Sequence, residues 1–180
     1  DSIGEKVCGV VINCSNTENL NSYGADKIIN INSSDLVDFS SKKYAHALVE
    51  IVKSENSKII ILSSSPNSKY LGAHLSGITD SSFVSNVVKL PESSNPFIVK
   101  RTCFTNKAFS LTELTSDLKI ISITSNSFGI VEKPNNPENE TVKIKGIRTN
   151  QKILDIEKES GTVTIAVSYT HLTLPTMMSV

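Results

Sequence analysis

Short apolar runs alternate with longer amphipathic segments along the first half of the chain. Compact apolar runs at 7–12 and 27–31 predict two strands, separated by a polar stretch rich in Asn and Ser. Between Ser40 and Glu55, apolar residues recur at helical spacing, so this segment predicts an amphipathic helix that Ser40 or Ser41 caps. The chain is therefore expected to begin with two strands and a helix.

The next segment, 58–90, continues the alternation of strand and helix. Its consecutive apolar residues at 59–62 predict a strand that is buried on both faces of a parallel sheet. A helix is predicted at 69–78 and a further strand at 83–90. Because strands alternate with helices, we expect an α/β fold with a doubly wound, mostly parallel sheet.

Beyond Pro91 the pattern changes to strands without long helices between them. Strand-like segments at 97–102, 108–114 and 119–123 predict an antiparallel strand extension, with which we expect the domain to finish. Residues 132–141 are rich in Pro, Asn and Glu, which predicts an exposed linker. Alternating β character returns at 142–165.

Composition narrows the class of protein. Lysines and arginines (18) balance aspartates and glutamates (18), so the chain lacks the positive field that holds a nucleic acid. No apolar run approaches the roughly 20 residues that cross a bilayer, so we expect no membrane insertion and a cytoplasmic location. The cysteines match no zinc-site spacing and are interpreted as reduced and structural; they are Cys8, Cys14 and Cys103.

The connection at 63–69, with the sequence Ser-Ser-Ser-Pro-Asn-Ser-Lys, is the best candidate for a binding site. It lies between a predicted buried strand and a predicted helix, where backbone N–H groups and the helix dipole favour an anion. Because it lacks the glycines of a phosphate loop, a hydroxyl-capped turn is the competing interpretation. Residues 13–16, after the first strand, also lack glycine, which disfavours NAD binding.

Side chains that often carry catalysis are scattered along the chain. The histidines are His46, His74 and His171, and none falls into a Ser-His-Asp or Cys-His arrangement. A basic and aromatic cluster could contact a nucleotide or an acidic partner, although a solvated strand face explains it more simply. This cluster comprises Lys100, Arg101, Lys107, Phe104 and Phe109. We assign no catalytic, cofactor-binding or metal-binding residue.

Several segments carry a resemblance to a known family. They are Tyr23-Gly24-Ala25-Asp26-Lys27, the helix with Tyr44 and Ala45, residues 59–65, Ser68-Lys69-Tyr70-Leu71, Ser85-Asn86-Val87-Val88 and Lys100-Arg101-Thr102. The run 96–109 and the later Asn126-Ser127-Phe128-Gly129 strengthen the resemblance. In order and spacing, residues 7–165 resemble the alpha subunits of electron transfer flavoproteins.

The resemblance implies an adenine-nucleotide-hydrolase-like α/β domain that pairs with an electron transfer flavoprotein beta subunit. It implies an electron carrier and not an enzyme, which relays electrons from flavin dehydrogenases, such as acyl-CoA dehydrogenases, to the respiratory chain. FAD would be bound by a C-terminal domain whose glycine-rich segments have no counterpart here. The alternative is a stand-alone nucleotide-binding module of universal-stress-like type, with a phosphate on 63–69. An adenylating or amide-hydrolysing enzyme would need a glycine-rich loop after its first strand.

The resemblance also divides the chain. We expect the N-terminal domain at 1–131, without its first strand, a linker at 132–141, and strands leading to the absent FAD-binding domain at 142–166. A lost strand would expose unpaired backbone groups of its neighbour. Residues 167–180 resemble the in-frame translation of a sequencing adapter and are left out of the fold prediction. A genuine final strand is the alternative, because apolar residues alternate at 163–169.

Overall fold

The computed structural model describes residues 6–147, 149–151, 153 and 156. The chain divides into the unit Asp1–Asn150 and a second unit, Gln151–Val180, of which only residues 151, 153 and 156 are described. The first unit contains strands, α-helices and short 3-10 turns at Glu18–Ser22 and Ser34–Leu36. In chain order the main elements are β1 (Cys8–Ile12), β2 (Lys27–Asn32), α1 (Ser41–Ser54), β3 (Ile59–Ser63), α2 (Pro66–Thr79), β4 (Ser82–Lys89), β5 (Ile98–Cys103), β6 (Ala108–Glu113), β7 (Lys119–Ile123) and β8 (Glu138–Lys143).

A three-stranded parallel sheet has the order β1-β2-β8. In its central strand, β2, the isoleucines Ile28, Ile29 and Ile31 are all buried, and Ile28 lies on the opposite face from the other two. Ile29 and Ile31 belong to one buried cluster with Ala47 and Ile51 of α1, so the helix covers this face of the sheet. The strands predicted at 7–12 and 27–31 are confirmed.

A second sheet contains five strands in the order β3-β7-β4-β5-β6. β7 runs parallel to β3 and β4, whereas β5 pairs antiparallel with β4 and β6. The prediction that 119–123 belongs to the antiparallel extension was therefore wrong. Ile120 and Ile121 point to opposite faces and are both buried, because β7 has a strand on each side and an apolar cluster on each face. The antiparallel extension consists of β5 and β6.

The helices α1 and α2 pack against each other. Tyr44 and Leu48 of α1 contact the buried cluster of the three-stranded sheet and also that of the five-stranded sheet. Leu75 of α2 is buried in the latter cluster with Ile120 of β7. Parallel pairing and alternation of strands with helices are consistent with the predicted doubly wound α/β fold.

Serines precede both helices, but only one of them caps a helix through its side chain. Ser40 occupies the position before α1, as predicted, yet its buried hydroxyl makes no hydrogen bond. Ser65 precedes α2, and its Oγ accepts a hydrogen bond from the backbone N–H of Ser68 at 3.1 Å. Pro66 starts α2 at a position that needs no N–H donor.

Strand β3 is more exposed than the sequence predicted. Burial on both faces was expected, but Ile61 in the middle of the strand is 55 % exposed. β3 pairs only with β7 among the described strands, so its other edge has no neighbour to cover its side chains. The four-residue apolar run correctly indicated a strand, but the predicted burial on both faces was wrong.

The predicted linker at 132–141 is exposed except at Pro137, but it is not free of the sheet. The backbone N–H of Lys133 donates to the carbonyl of Ser22 at 2.8 Å, and β8 begins at Glu138 and pairs with β2. Backbone groups suffice for edge pairing, so a polar sequence is compatible with it. Residues 157–180, with the predicted adapter tail at 167–180 and His171, lie outside the described residues.

Candidate functional site

An open groove of about 580 Å³ borders the three-stranded sheet at the carboxyl ends of β1, β2 and β8. Crevices at this end of parallel strands are the usual ligand sites of open α/β sheets. We call it the strand-end groove, and it is lined by Asn13, Asn32, Ser33, Ser34, Val37, Lys143 and Lys145. Polar and basic side chains suit a small anion better than an apolar ligand.

Asn13 organises the base of the strand-end groove. Its Nδ2 donates to the carbonyls of Ser33 at 3.0 Å and Leu36 at 3.1 Å, and its Oδ1 accepts from the N–H of Ser33 at 2.9 Å. The backbone of Asn13 is left-handed, with φ of 49°, a conformation that asparagine tolerates better than most residues. These hydrogen bonds hold the fold together and use groups that a ligand would otherwise need.

Two lysines give the strand-end groove its positive charge. Lys143 ends β8, and Lys145 follows two residues later; both side chains are exposed. The carboxylate of Asp35 accepts from the N–H of Gly146 at 3.0 Å and of Ile147 at 3.3 Å. Neither lysine forms an ion pair within the described part of the chain. Exposed ammonium groups are strongly hydrated, so the groove attracts anions without fixing the geometry of one.

The connection predicted as an anion site, 63–69, is closed by its own hydroxyls. Ser65 Oγ accepts from the N–H of Ser68 at 3.1 Å and lies 2.8 Å from the hydroxyl of Ser68. Pro66 has no N–H to offer, so the first turn of α2 supplies an anion with little more than the N–H of Asn67. This geometry favours the hydroxyl-capped turn over a phosphate site.

The described histidines and the cysteines lie on separate elements. His46 is exposed on α1, whereas His74 is half-buried on α2. The thiols are free and lie on separate elements; they are Cys8 on β1, Cys14 in the following loop and Cys103 at the end of β5. No group of three His, Cys, Asp or Glu residues among those that are described could hold a metal ion.

The predicted basic and aromatic cluster is divided between the faces of the β5–β6 hairpin. Lys100 Nζ lies 4.1 Å from the ring centroid of Phe109, a cation–π contact. Arg101 points to the opposite face, and Lys107 belongs to the turn between the strands. One face of the hairpin instead combines charged and apolar side chains; this hairpin face consists of Ile98, Lys100, Thr102, Phe109, Leu111 and Glu113.

The hairpin face is exposed. Leu111 is 75 % and Phe109 is 61 % accessible to solvent. Phe104 at the tip is also exposed, and Phe104, Thr105 and Asn106 are all left-handed, with φ between 50° and 65°. Three such residues in succession are costly for the backbone and persist where the fold holds them in place. Clustered exposed apolar side chains mark interaction surfaces.

Sequence reasoning identified Lys100 and Phe109 but missed Leu111 and the strand-end groove. Leu111 had a signal, since it follows Phe109 by two residues and shares its face of a strand. The strand-end groove had none, because Asn13 and Lys143 lie far apart in sequence and meet only through β2.

The strand-to-helix connections in the described residues lack the glycine-rich sequence of a dinucleotide site. The strand-to-helix connections at 33–40 and 64–65 contain no glycine, so a pyrophosphate cannot approach their backbone closely. The first turn of α2 is occupied by Ser65 and Pro66, as described above. The strand-end groove is open, and Val37 is the one apolar residue in its lining, so no aromatic or large aliphatic side chain is present to enclose a cofactor ring.

The strand order and the two helices define an α/β domain, and its hairpin face exposes apolar side chains. The family model of the electron transfer flavoprotein domain matches residues 1–149. Because the match covers most of the chain, the protein belongs to the electron transfer flavoprotein family. Comparison with individually curated proteins gives no match. No helix among the described residues has the length and apolar character to cross a membrane.

Proposed function

We propose that the chain is the N-terminal domain of the alpha subunit of a heterodimeric electron transfer flavoprotein. The subunit relays electrons in the cytoplasm from flavin dehydrogenases, such as acyl-CoA dehydrogenases, to the respiratory chain. Family membership over residues 1–149 supports the electron-transfer role. The resemblance of 96–109 to alpha subunits supports the choice of subunit. In this role the chain is part of a carrier and not an enzyme.

FAD supplies the electron-transfer chemistry of such a carrier when it is bound. The described residues do not fit this cofactor, because their strand-to-helix connections lack glycine and Ser65 caps the helix that would face the pyrophosphate. We therefore assign FAD to a separate domain outside these residues. The contribution of the described domain is structural: it carries a surface that docks the other subunit.

The hairpin face is the observation that carries the partner assignment, which is the beta subunit. Full burial of one leucine or phenylalanine contributes about 1.5 to 3 kcal/mol. Leu111 and Phe109 both expose most of their surface, so together they can supply a central part of a subunit contact. Lys100 beside Phe109 and Glu113 opposite Ile98 place one charge of each sign around these apolar side chains, as in the polar rim of a protein contact.

Binding of the chain to its cognate beta subunit tests this proposal, with sedimentation velocity as the measurement. We expect an equimolar complex. Leu111→Lys should raise the Kd by about tenfold to a hundredfold, which corresponds to about 1.4 to 2.8 kcal/mol. Tyr70→Lys is the matched control, because Tyr70 is 65 % exposed but lies on α2, and it should leave the Kd unchanged.

Two outcomes would contradict the proposal. A folded chain, verified by circular dichroism, that forms no complex with the beta subunit would refute the subunit assignment. Equal weakening by Leu111→Lys and Tyr70→Lys would refute the hairpin face as the contact. ATP binding at micromolar strength that Ser65→Ala abolishes would instead favour the nucleotide-binding module, which the occupied first turn of α2 now disfavours.

A further inference from the structure

The segment that follows β8 stays in contact with the domain. We call residues 144–150 the strap; all of them except 148 are described, and Asn150 is the last residue of the first unit. Ile144 is 6 % exposed and belongs to the buried cluster of β2 and α1, on which Ile147 also packs. Asn150 Oδ1 accepts a hydrogen bond from Lys42 Nζ of α1 at 2.9 Å. The strap therefore touches the domain near its start, its middle and its end.

One carboxylate holds the middle of the strap. Asp35 Oδ2 accepts hydrogen bonds from the backbone N–H groups of Gly146 at 3.0 Å and Ile147 at 3.3 Å. Consecutive backbone N–H groups that point at one anion form a nest, a common way to bind a carboxylate. Gly146 has a left-handed backbone with φ of 72°, which glycine adopts without strain. We call this contact the Asp35 clasp.

The loop that carries Asp35 is itself tied to β1. Ser33 Oγ accepts a hydrogen bond from the backbone N–H of Asp35 at 3.2 Å. The side chain of Asn13, which follows β1, bonds both the N–H and the carbonyl of Ser33. Hydrogen bonds to an ionised carboxylate are about twice as strong as those between neutral groups. The Asp35 clasp therefore joins the strap to a fixed point of the three-stranded sheet.

Regular secondary structure does not hold the described part of the strap. It lies outside the strands and helices, and Lys145 and Gly146 are exposed. The hydrogen bond between Lys42 and Asn150 joins exposed side chains, which can bond to water equally well. Of the contacts after Ile144, the Asp35 clasp and the packing of Ile147 are the ones removed from solvent. Opening of the clasp would free residues 145–150, and six extended residues span about 20 Å.

We propose that the Asp35 clasp fixes the point at which the chain leaves this domain. The connection to a following domain then begins after Ile147 and not at 132–141, where the Pro- and Asn-rich sequence predicted a linker. This inference rests on the proposed function in one respect, which is that a further domain follows residue 150. With the clasp closed, that domain starts from a fixed position at the beginning of α1. With the clasp open, its tether is about 20 Å longer, which lowers the effective concentration of one domain beside the other. Asp35 is therefore a positioning residue.

Amide hydrogen exchange on the whole chain tests the clasp. Gly146 and Ile147 should exchange at least about tenfold more slowly than unprotected amides. Asp35→Ala should speed their exchange about tenfold or more, because both N–H groups lose their acceptor. Trypsin cleavage after Lys145, identified by mass, should rise by a similar factor. Cleavage after Lys107, in the turn between β5 and β6, is the internal reference and should not change.

Two variants separate the clasp from a general effect of charge or stability. Asp38→Ala is the matched control, because it removes the same charge from an exposed position in the same loop, and it should change neither rate. Asp35→Asn keeps an oxygen acceptor without the charge, so its effect should be smaller than that of Asp35→Ala. If Asp35→Ala unfolds the chain, Asp35→Asn decides. Unchanged rates in the Asp35 variants, an equal effect of Asp38→Ala, or acceleration spread evenly over β1, β2 and β8 would overturn the clasp.

The consequence for the following domain is measured on the intact alpha subunit in complex with its beta subunit. Asp35→Ala should increase the maximum dimension in small-angle X-ray scattering by up to about 20 Å. The Kd for the beta subunit should not change, because the hairpin face belongs to the other sheet. Faster exchange with an unchanged dimension would overturn the role in domain placement. An alpha subunit without a domain after residue 150 would refute the proposed function and this placement together, whereas the exchange rates of the chain judge the clasp alone.

Discussion

Replacement of Gly72 by alanine should lower the stability of the fold. In a helix interior, Gly→Ala stabilises by about 1 kcal/mol, because alanine loses less backbone entropy on folding. Gly72, however, lies in α2 directly against Phe83 of β4. A Cβ atom at this position would lie 2.7 Å from Cζ and 3.0 Å from Cδ2 of the Phe83 ring, and would overlap Cε2 as well. The ring or the helix must therefore move.

Two opposing contributions set the size of the stability change for Gly72→Ala. Overpacking of a filled core costs about 1 to 3 kcal/mol. Phe83 has little room to move, because it packs on the buried cluster of Leu71, Leu75 and Ile120. After the propensity gain of about 1 kcal/mol is subtracted, Gly72→Ala should lose up to about 2 kcal/mol of stability. Gly77 in the same helix has no atom within 4 Å of its Cβ position, so Gly77→Ala should gain about 1 kcal/mol.

Urea unfolding followed by circular dichroism measures both changes. We expect the midpoint of Gly72→Ala to fall and that of Gly77→Ala to rise, with the dependence on urea unchanged. Phe83→Leu should make Gly72→Ala less harmful than it is in the original background, since the smaller side chain leaves space for the new methyl group. Equal midpoints for the two glycine variants would refute the argument that Phe83 closes against α2.

Two further predictions use the same assay. Hydrogen bonds to Glu140 and Glu55, at 2.8 Å and 2.7 Å, raise the pKa of Lys27 in the folded state. The stabilisation from these contacts is therefore complete below the ordinary lysine pKa of about 10.4. It is lost as the pH rises through the raised pKa. The difference in midpoint between the chain and Lys27→Gln should therefore shrink in strong alkali, and a difference independent of pH would contradict this assignment. Asn13→Ala removes three hydrogen bonds and places alanine at φ of 49°, so it should lower the free energy of unfolding by about 2 to 3 kcal/mol. A decrease below about 1 kcal/mol would show that these hydrogen bonds do not hold the loop.

The sequence predicted the elements of the first unit well because their apolar residues follow simple periods. α1 shows helical spacing from Tyr44 to Ile51, and the apolar run of β2 marks a short strand that is buried on both faces. The periodicity of apolar residues does not reveal which strands lie next to each other in a sheet. The segment 119–123 follows two antiparallel strands in sequence and was grouped with them, although its adjacent buried isoleucines, Ile120 and Ile121, indicate cover on both faces.

The candidate surfaces were harder to predict because they depend on contacts between distant residues. The strand-end groove brings Asn13 near Lys143 through the pairing of β1, β2 and β8, and the polar sequence of β8 gives no strand signal. The helix start at Ser65 was visible in the sequence, but its hydroxyl contacts with Ser68, which close the predicted anion site, were not. The hairpin face could have been predicted from the sequence, because Phe109 and Leu111 are two residues apart in a short strand and therefore share a face.

Among the described strands, those at the edges of the two sheets differ in the charge of their sequences. β8 ends its sheet with Glu138, Glu140 and Lys143, and such charges protect a genuine edge from pairing with other strands. β1 and β3 carry the sequences CGVVI and IIILS, which contain no charge. Sequences of this kind belong in the interior of a parallel sheet. β6 is also an edge among the described strands, and its exposed face carries Phe109, Leu111 and Glu113, so the hairpin can offer both side chains and backbone groups to a folded partner.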